Sequence, residues 1–285
     1  IQFTPLSRTG VIRNFRIKDL YIRGMGGSDV YINNPNAGII ENVEVDKLNI
    51  IKTKTYASKV TVNLTAGKNI KIHGKINVEN PPATRLGDGL QVNGVNGFDI
   101  DLDIRNFGAG ARLGNGALIQ NGKFNGLIKD IHTGGLYLGK LSNVKFGDFE
   151  IRDCALNGGS TNISYISGIT NLNNVTWKGC IFGLSQTTGR NINFGSESYS
   201  NVLFEDCDFS EWDTVARKLA VNVPGVIRRN NKGLNYLTNS PDSQYWNVGE
   251  MVWNTDPASG EYLGWVCLVA GSVSSTNWKG FGLIG

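Results

Sequence analysis

Along most of the chain, apolar and polar residues alternate in short bursts, and the bursts themselves recur. One segment returns as Asn14-Phe15-Arg16-Ile17, Asn42-Val43-Glu44-Val45, Asn69-Ile70-Lys71-Ile72, Gly97-Phe98-Asp99-Ile100, Asn143-Val144-Lys145-Phe146, Asn174-Val175-Thr176-Trp177 and Asn201-Val202-Leu203-Phe204. With Leu127 taken as the member between Phe98 and Val144, the leading apolar positions are separated by 28, 27, 28, 29, 17, 31 and 27 residues. A second strand follows through a bend, as in Leu48-Asn49-Ile50 and Phe149-Glu150-Ile151. A third series, aligned on Tyr31, Thr61, Gln91, Leu118, Tyr137, Tyr165, Asn193 and Ala220, keeps pace at steps of 30, 30, 27, 19, 28, 28 and 27. A period of two argues for strands and against amphipathic helices.

Three short strands in each repeat, with every second side chain pointing inward, bury their apolar set only when coil stacks on coil, and such stacking makes the sheets parallel. The expected fold is therefore all-β: a right-handed parallel β-helix of three strands per coil over residues 1–232, a linker at 233–244, and a small, separate β-module at 245–285. Asn and Gly between strands supply turns with positive φ. Asn33, Asn63 and Asn93 fall in register as a stacked amide ladder would require. The acidic run Asp99-Ile100-Asp101-Leu102-Asp103 lies one repeat after Lys71, His73 and Lys75, so opposite charges are expected side by side across the sheet, without a catalytic purpose.

Composition agrees with a β-rich, turn-rich chain: charged residues are 18%, below the usual quarter, and there are 37 glycines. The net charge of +4 is mild, and Lys and Arg are scattered, which argues against nucleic acid as a partner. No apolar window is long enough for a membrane span, so insertion is not expected, and the opening Ile1-Gln2-Phe3-Thr4-Pro5 reads as the interior of a longer chain. Cys154, Cys180, Cys207 and Cys267 form no Cys-x-x-Cys pair, and neither His73 nor His132 sits at metal-ligand spacing from them. No cofactor is implied. Cys180 and Cys207 fall at one place in successive repeats, where a buried thiol behaves as a small hydrophobe.

The last forty or so residues carry Trp246, Trp253, Trp265 and Trp278. The runs Val248-Gly249-Glu250-Met251-Val252-Trp253-Asn254, Gly264-Trp265-Val266-Cys267 and Thr276-Asn277-Trp278-Lys279-Gly280-Phe281-Gly282 resemble the C-terminal module of bacteriophage tail fibre and tailspike proteins. The preceding coils are similar in pattern to the pectate-lyase-like β-helix of the same family. This resemblance implies a homotrimer at the phage tail tip, part of the virion, that binds and depolymerises a bacterial capsular or O-antigen polysaccharide.

The 19-residue step between Leu118 and Tyr137, with longer loops on either side, predicts a cleft. Tyr137 and Tyr165 would form its floor, His132 and Arg112 would enter from its turns, and Arg85 would lie above Arg112. Tyr faces suit pyranose stacking, though an outward Tyr is also simply a good strand former. Glycoside hydrolysis needs two carboxyl groups, and Glu150 and Asp153 qualify best, with Asp130 and Asp88 within reach. Taken singly, each reads more readily as a solvated surface acid. Because Arg85-Leu86-Gly87-Asp88-Gly89 recurs as Arg112-Leu113-Gly114-Asn115-Gly116, a turn role would set Asp88 over Asn115. The runner-up chemistry is a polysaccharide lyase, in which Tyr or His removes a proton beside a carboxylate that Arg neutralises. An esterase lacks its Gly-x-Ser-x-Gly elbow, and a receptor-binding spike without catalysis needs no acid pair at all.

Overall fold

The computed structural model describes residues 1–5, 10–24, 29–33, 38–53, 59–82, 87–154, 166–169, 171–183, 192–194, 199–211, 224–237, 246–271 and 277–285. Among these the chain is all-β, a parallel β-solenoid followed by a small, mainly antiparallel sheet. One solenoid face is an eight-stranded sheet of short strands: β1 (Gln2–Phe3), β3 (Val30–Ile32), β5 (Val60–Leu64), β7 (Asp88–Val92), β9 (Ala109–Leu113), β11 (Leu136–Leu138), β13 (Ile166–Ile169) and β16 (Ile192–Phe194). The other is a ten-stranded sheet built on long bent strands: β2 (Val11–Gly24), β4 (Ile39–Lys52), β6 (Gly67–Val78), β8 (Val95–Arg105), β10 (Ile119–Lys129), β12 (Lys140–Arg152), β14 (Asn171–Lys178), β17 (Tyr199–Glu205) and β18 (Val226–Arg229), with β15 (Ile181–Phe182) beside β12. The leading and second strands of most repeats are thus one continuous strand with a bend.

A second, positive-φ corner precedes each leading apolar residue. Asn14, Asn42, Asn69, Asn121, Asn143, Asn174 and Asn201 all have φ between 53° and 56°, a conformation that Asn tolerates better than other side chains. Their amides link the coils: Asn42 Nδ2 donates to Asn14 Oδ1 at 2.8 Å, Asn69 to Asn42 at 3.0 Å, Asn143 to Asn121 at 3.1 Å and Asn174 to Asn143 at 2.7 Å. The amide ladder therefore runs along the leading Asn of the repeat. It does not run along Asn33, Asn63 and Asn93, because Asn63 stands beside Tyr31 and Gln91, while Asn33 accepts from Thr65 Oγ1 at 2.7 Å.

The register corrects the repeat at its shortest place. Gly122, not Leu127, is the partner of Phe98 and Val144, so the two steps are 24 and 22 residues. A Cβ on Gly122 would overlap the Phe98 ring, which fills the position that a larger residue occupies in other coils. Likewise the short-strand member is Ala109–Leu113, and Arg112, not Leu118, lies between Gln91 and Tyr137. Leu118 is 45% exposed and precedes β10. Instead of one 19-residue coil there are two moderately short ones in succession. The expected strand at Ala220-Val221-Asn222 lies outside the described residues.

Inside, the columns stack like on like. Ile72, Ile100, Phe124, Phe146, Trp177 and Phe204 occupy one register position in successive coils. Phe146 and Trp177 stack at 3.7 Å between ring centroids, and Trp177 and Phe204 lie near-parallel at 5.6 Å. Cys180 stacks beside Cys207, and all four thiols are free and buried. Burial drives the Cys154 thiol well above its usual value, so it stays protonated and inert. The pairing of Lys71, His73 and Lys75 with Asp99, Asp101 and Asp103 is as the sequence predicts.

The aromatic column ends on a charge. Arg228 follows Phe204 in register, is 2% exposed, and meets Glu250 through Nε–Oε1 at 3.0 Å and Nη2–Oε2 at 2.8 Å. Its backbone N–H donates to Glu250 Oε1 at 2.8 Å, and its guanidinium lies 4.0 Å above the Trp246 ring. Glu250 belongs to the C-terminal module, whose strands β20 (Met251–Asn254), β21 (Tyr262–Val269) and β22 (Asn277–Leu283) pair antiparallel around Trp246, Val252 and Cys267. Strand β19 (Tyr236–Leu237) pairs parallel with β20, and Asn235 Nδ2 donates to the Met251 carbonyl at 3.0 Å. The module expected to be separate is thus docked on the last coil, and residues 233–237 of the expected linker take part in the docking. Residues 238–244 lie outside the described residues.

Because removing one member of a buried ion pair leaves the other charge uncompensated, Glu250→Gln should destabilise the junction by about 3–5 kcal/mol. Urea denaturation followed by tryptophan fluorescence would measure it. Arg228→Met combined with Glu250→Gln should recover part of that loss.

Candidate functional site

The sequence-derived candidates divide between two neighbouring faces of the short coils. On the ten-stranded sheet, Arg105, Lys129 and Arg152 stand in register at the ends of β8, β10 and β12. The next residues are Asn106, Asp130 and Asp153, with φ of 66°, 56° and 50°. Asp130 and Asp153 therefore have a structural reason to be there, since this turn takes a short polar side chain that accepts positive φ. The same turn places their side chains one coil apart, and the ladder continues past them through Ile131 N donating to the Asp153 carbonyl at 3.2 Å.

Cations surround these acids. Asp153 Oδ2 lies 3.6 Å from Lys129 Nζ, and Glu150, outward-facing between buried Phe149 and Ile151, contacts Arg152. Arg105 is held by Asp103 in a two-point pair at 2.7 and 3.0 Å. That hydrogen bond raises the Arg105 pKa above its usual value, and the charges of Asp130 and Glu150 add to the effect. Glu150, Asp153 and Asp130 are thus brought into one charged cluster. A surface pocket of about 340 Å³, lined by Asn49, Lys75, Asn77, Asp103 and Arg105, adjoins it.

On the eight-stranded face, Arg112 bridges two other candidates. Its Nε donates to Asp88 Oδ2 at 2.6 Å and its Nη2 reaches Oδ1 at 3.3 Å, while Cζ lies 4.3 Å from the centre of the Tyr137 ring. Asp88 does not stand over Asn115: its register partner is Ala109, and its carboxylate is held by Arg112. One face of Tyr137 is covered by the guanidinium. Its hydroxyl accepts from Gly134 N at 3.2 Å and donates to Thr133 Oγ1 at 3.4 Å. The ring therefore offers a sugar less free surface than the sequence suggests, and its neighbour in β13 is Ser167, not Tyr165.

His132 lies on the connection 130–135 that joins the two faces, with its N–H donating to the Phe107 carbonyl at 2.9 Å. Arg85 and Tyr165 lie outside the described residues. Before the short step, where a longer loop was expected, β9 occupies 109–113, so the connection there is only 106–108. Two brief connections, 106–108 and 130–135, join β8 to β9 and β10 to β11. Sequence reasoning missed Arg105, Lys129 and Arg152. Their spacing of 24 and 23 residues was the available signal, hidden by the displaced repeat.

Among the described residues, no three His, Cys, Asp or Glu side chains converge as a metal site. Comparison with protein-family models, curated proteins and solved structures finds no match.

The Asp88–Arg112 pair is half-shielded and two-pointed, so a double-mutant cycle with Asp88→Asn and Arg112→Leu should return a coupling of about 1 kcal/mol. Arg112→Lys should lose most of it, since an ammonium makes neither the fork nor the ring contact as well.

Proposed function

We propose that the chain binds and depolymerises a bacterial surface polysaccharide by glycoside hydrolysis, as a phage tailspike does. The supporting observation is the charged cluster at the two short coils of a parallel β-solenoid, a fold that fits polysaccharide-binding and depolymerising proteins. Asp153 has two carboxyl neighbours: Glu150, three residues earlier, and Asp130, one coil earlier. Coils stack about 4.8 Å apart, close to the ~5 Å carboxyl separation of retaining glycosidases. In this reading Asp153, beside Lys129, attacks as nucleophile or base, and Glu150 or Asp130 protonates the leaving oxygen. Arg105 and Arg152 orient the sugar chain.

Asparagine keeps the positive-φ turn, so Asp153→Asn should leave the melting temperature unchanged while reducing the release of new reducing ends from host polysaccharide by at least ~100-fold. One of Asp130→Asn and Glu150→Gln should act alike, which would identify the acid. Unsaturated products would indicate the lyase reading, which draws on Arg112, Tyr137 and His132 but meets a Tyr hydroxyl that is already hydrogen-bonded. Binding without any shortening of the polysaccharide would identify a non-catalytic spike.

The same reading includes a homotrimer in the virion, with the C-terminal module as the contact. Val248 and Leu283 are each 65% exposed there, and Leu268, Val269, Tyr262 and Leu263 are exposed as well. This apolar exposure supports the reading of an association surface. Light scattering should give three times the chain mass, and Leu268→Lys with Leu283→Lys should lower it; a monomer mass for the unmodified chain would refute the trimer.

A further inference from the structure

One outward column of the ten-stranded sheet runs Arg16, Glu44, Lys71, Asp99, Lys123, Lys145 and Thr176 in successive coils. Its charges alternate at first. Arg16 lies 3.4 Å from Glu44, and Lys71 lies 2.6 Å from Glu44 on the other side. At Lys145 the alternation breaks, because a second cation follows Lys123 directly. Like charges directly opposite across a sheet are mildly destabilising, and the break leaves Lys145 with no opposite charge beside it in the column. Lys145 makes no ion pair or hydrogen bond with a described residue.

Lys123 is held in place from below. Asn125, 9% exposed, has its amide oriented to donate to the carbonyls of Gly147 and Phe124, and its oxygen accepts from Lys123 Nζ at 2.8 Å. Both lysines and Thr176 line a surface groove of about 590 Å³. Of the three acids that line it, Glu205 and Asp206 are already engaged. Glu205 is bound by Lys178 at 2.8 Å and Arg229 at 3.1 Å, and the Lys178 hydrogen bond leads in holding its carboxyl below the usual range. Asp206 lies 3.8 Å from Lys178, and Asp148 stands exposed at the bend.

We infer that Lys123, Lys145 and the Thr176 hydroxyl form an oxyanion site that takes an acidic group carried on a saccharide. In naming a saccharide as the carrier it rests on the function proposed above, whereas the lysine pair itself does not. Two ammonium groups on adjacent coils supply the charge, a hydroxyl supplies a directed donor, and the groove leaves room for a chain on either side.

The test is calorimetric titration of the full chain with inorganic sulfate, galacturonate, trigalacturonate and an uncharged trisaccharide. Trigalacturonate should bind more tightly than sulfate or the monomer, the uncharged sugar should not bind, and added salt should weaken the interaction. Lys145→Met and Lys123→Met should each reduce affinity roughly tenfold. Uptake of none of the three anions by the unmodified chain, or binding unaltered in Lys145→Met, overturns the site. Lys145-dependent sulfate binding with no gain for trigalacturonate overturns the saccharide carrier. Loss of depolymerisation alone bears on the proposed function and leaves this site standing.

Discussion

No coil of this protein can bury its own apolar side chains; each is a thin ring that becomes a core only when another lies on top of it. Register between coils is therefore the constraint on which everything else depends, and it is enforced twice. Inside, large rings meet large rings along the column from Phe124 to Phe204, each aromatic pair adding about 0.5–1.5 kcal/mol beyond its buried area. At the positive-φ corner, asparagine amides bind one another from coil to coil, so a slip of one residue would break the amide chain and also turn the apolar set outward.

Much of this was legible in the sequence, because stacking like on like prints a period. The leading Asn was visible in six of the repeats, although its part as the ladder was not: several series of Asn recur, and which of them bond from coil to coil depends on the register. The period was lost where a core place is empty of side chain. Gly122 carries nothing apolar because Phe98 occupies its volume, so the alignment passed to Leu127 and drew Ala117–Gln120 into the wrong series. A single packing substitution thus displaced two coils of the reading.

The candidate site suffered from that displacement unevenly. Glu150, Asp153 and Asp130 were singled out from local pattern, since an acid between two inward apolar residues or at the end of a strand needs no long-range register. Their cationic neighbours depend on which coil lies beside which, and so they stayed hidden. Arg112 was found but was assigned the wrong companion, because the motif repeat aligned Asp88 with Asn115 whereas the sheet aligns Gln91 with Arg112. Sequence similarity between turns is weaker than the hydrogen-bond ladder in deciding what touches what.

Arg228 sits in an interior column, where every coil before it offers a hydrophobic surface that another coil would accept. A solenoid without such a residue has no intrinsic length: its last layer is as inviting as its first, to a further repeat or to a neighbouring molecule. Placing a cation there makes the end selective, since any layer laid upon it must present a carboxylate at one point or bury a bare charge. The arginine acts as punctuation in the fold, closing the stack to everything except the module that carries Glu250.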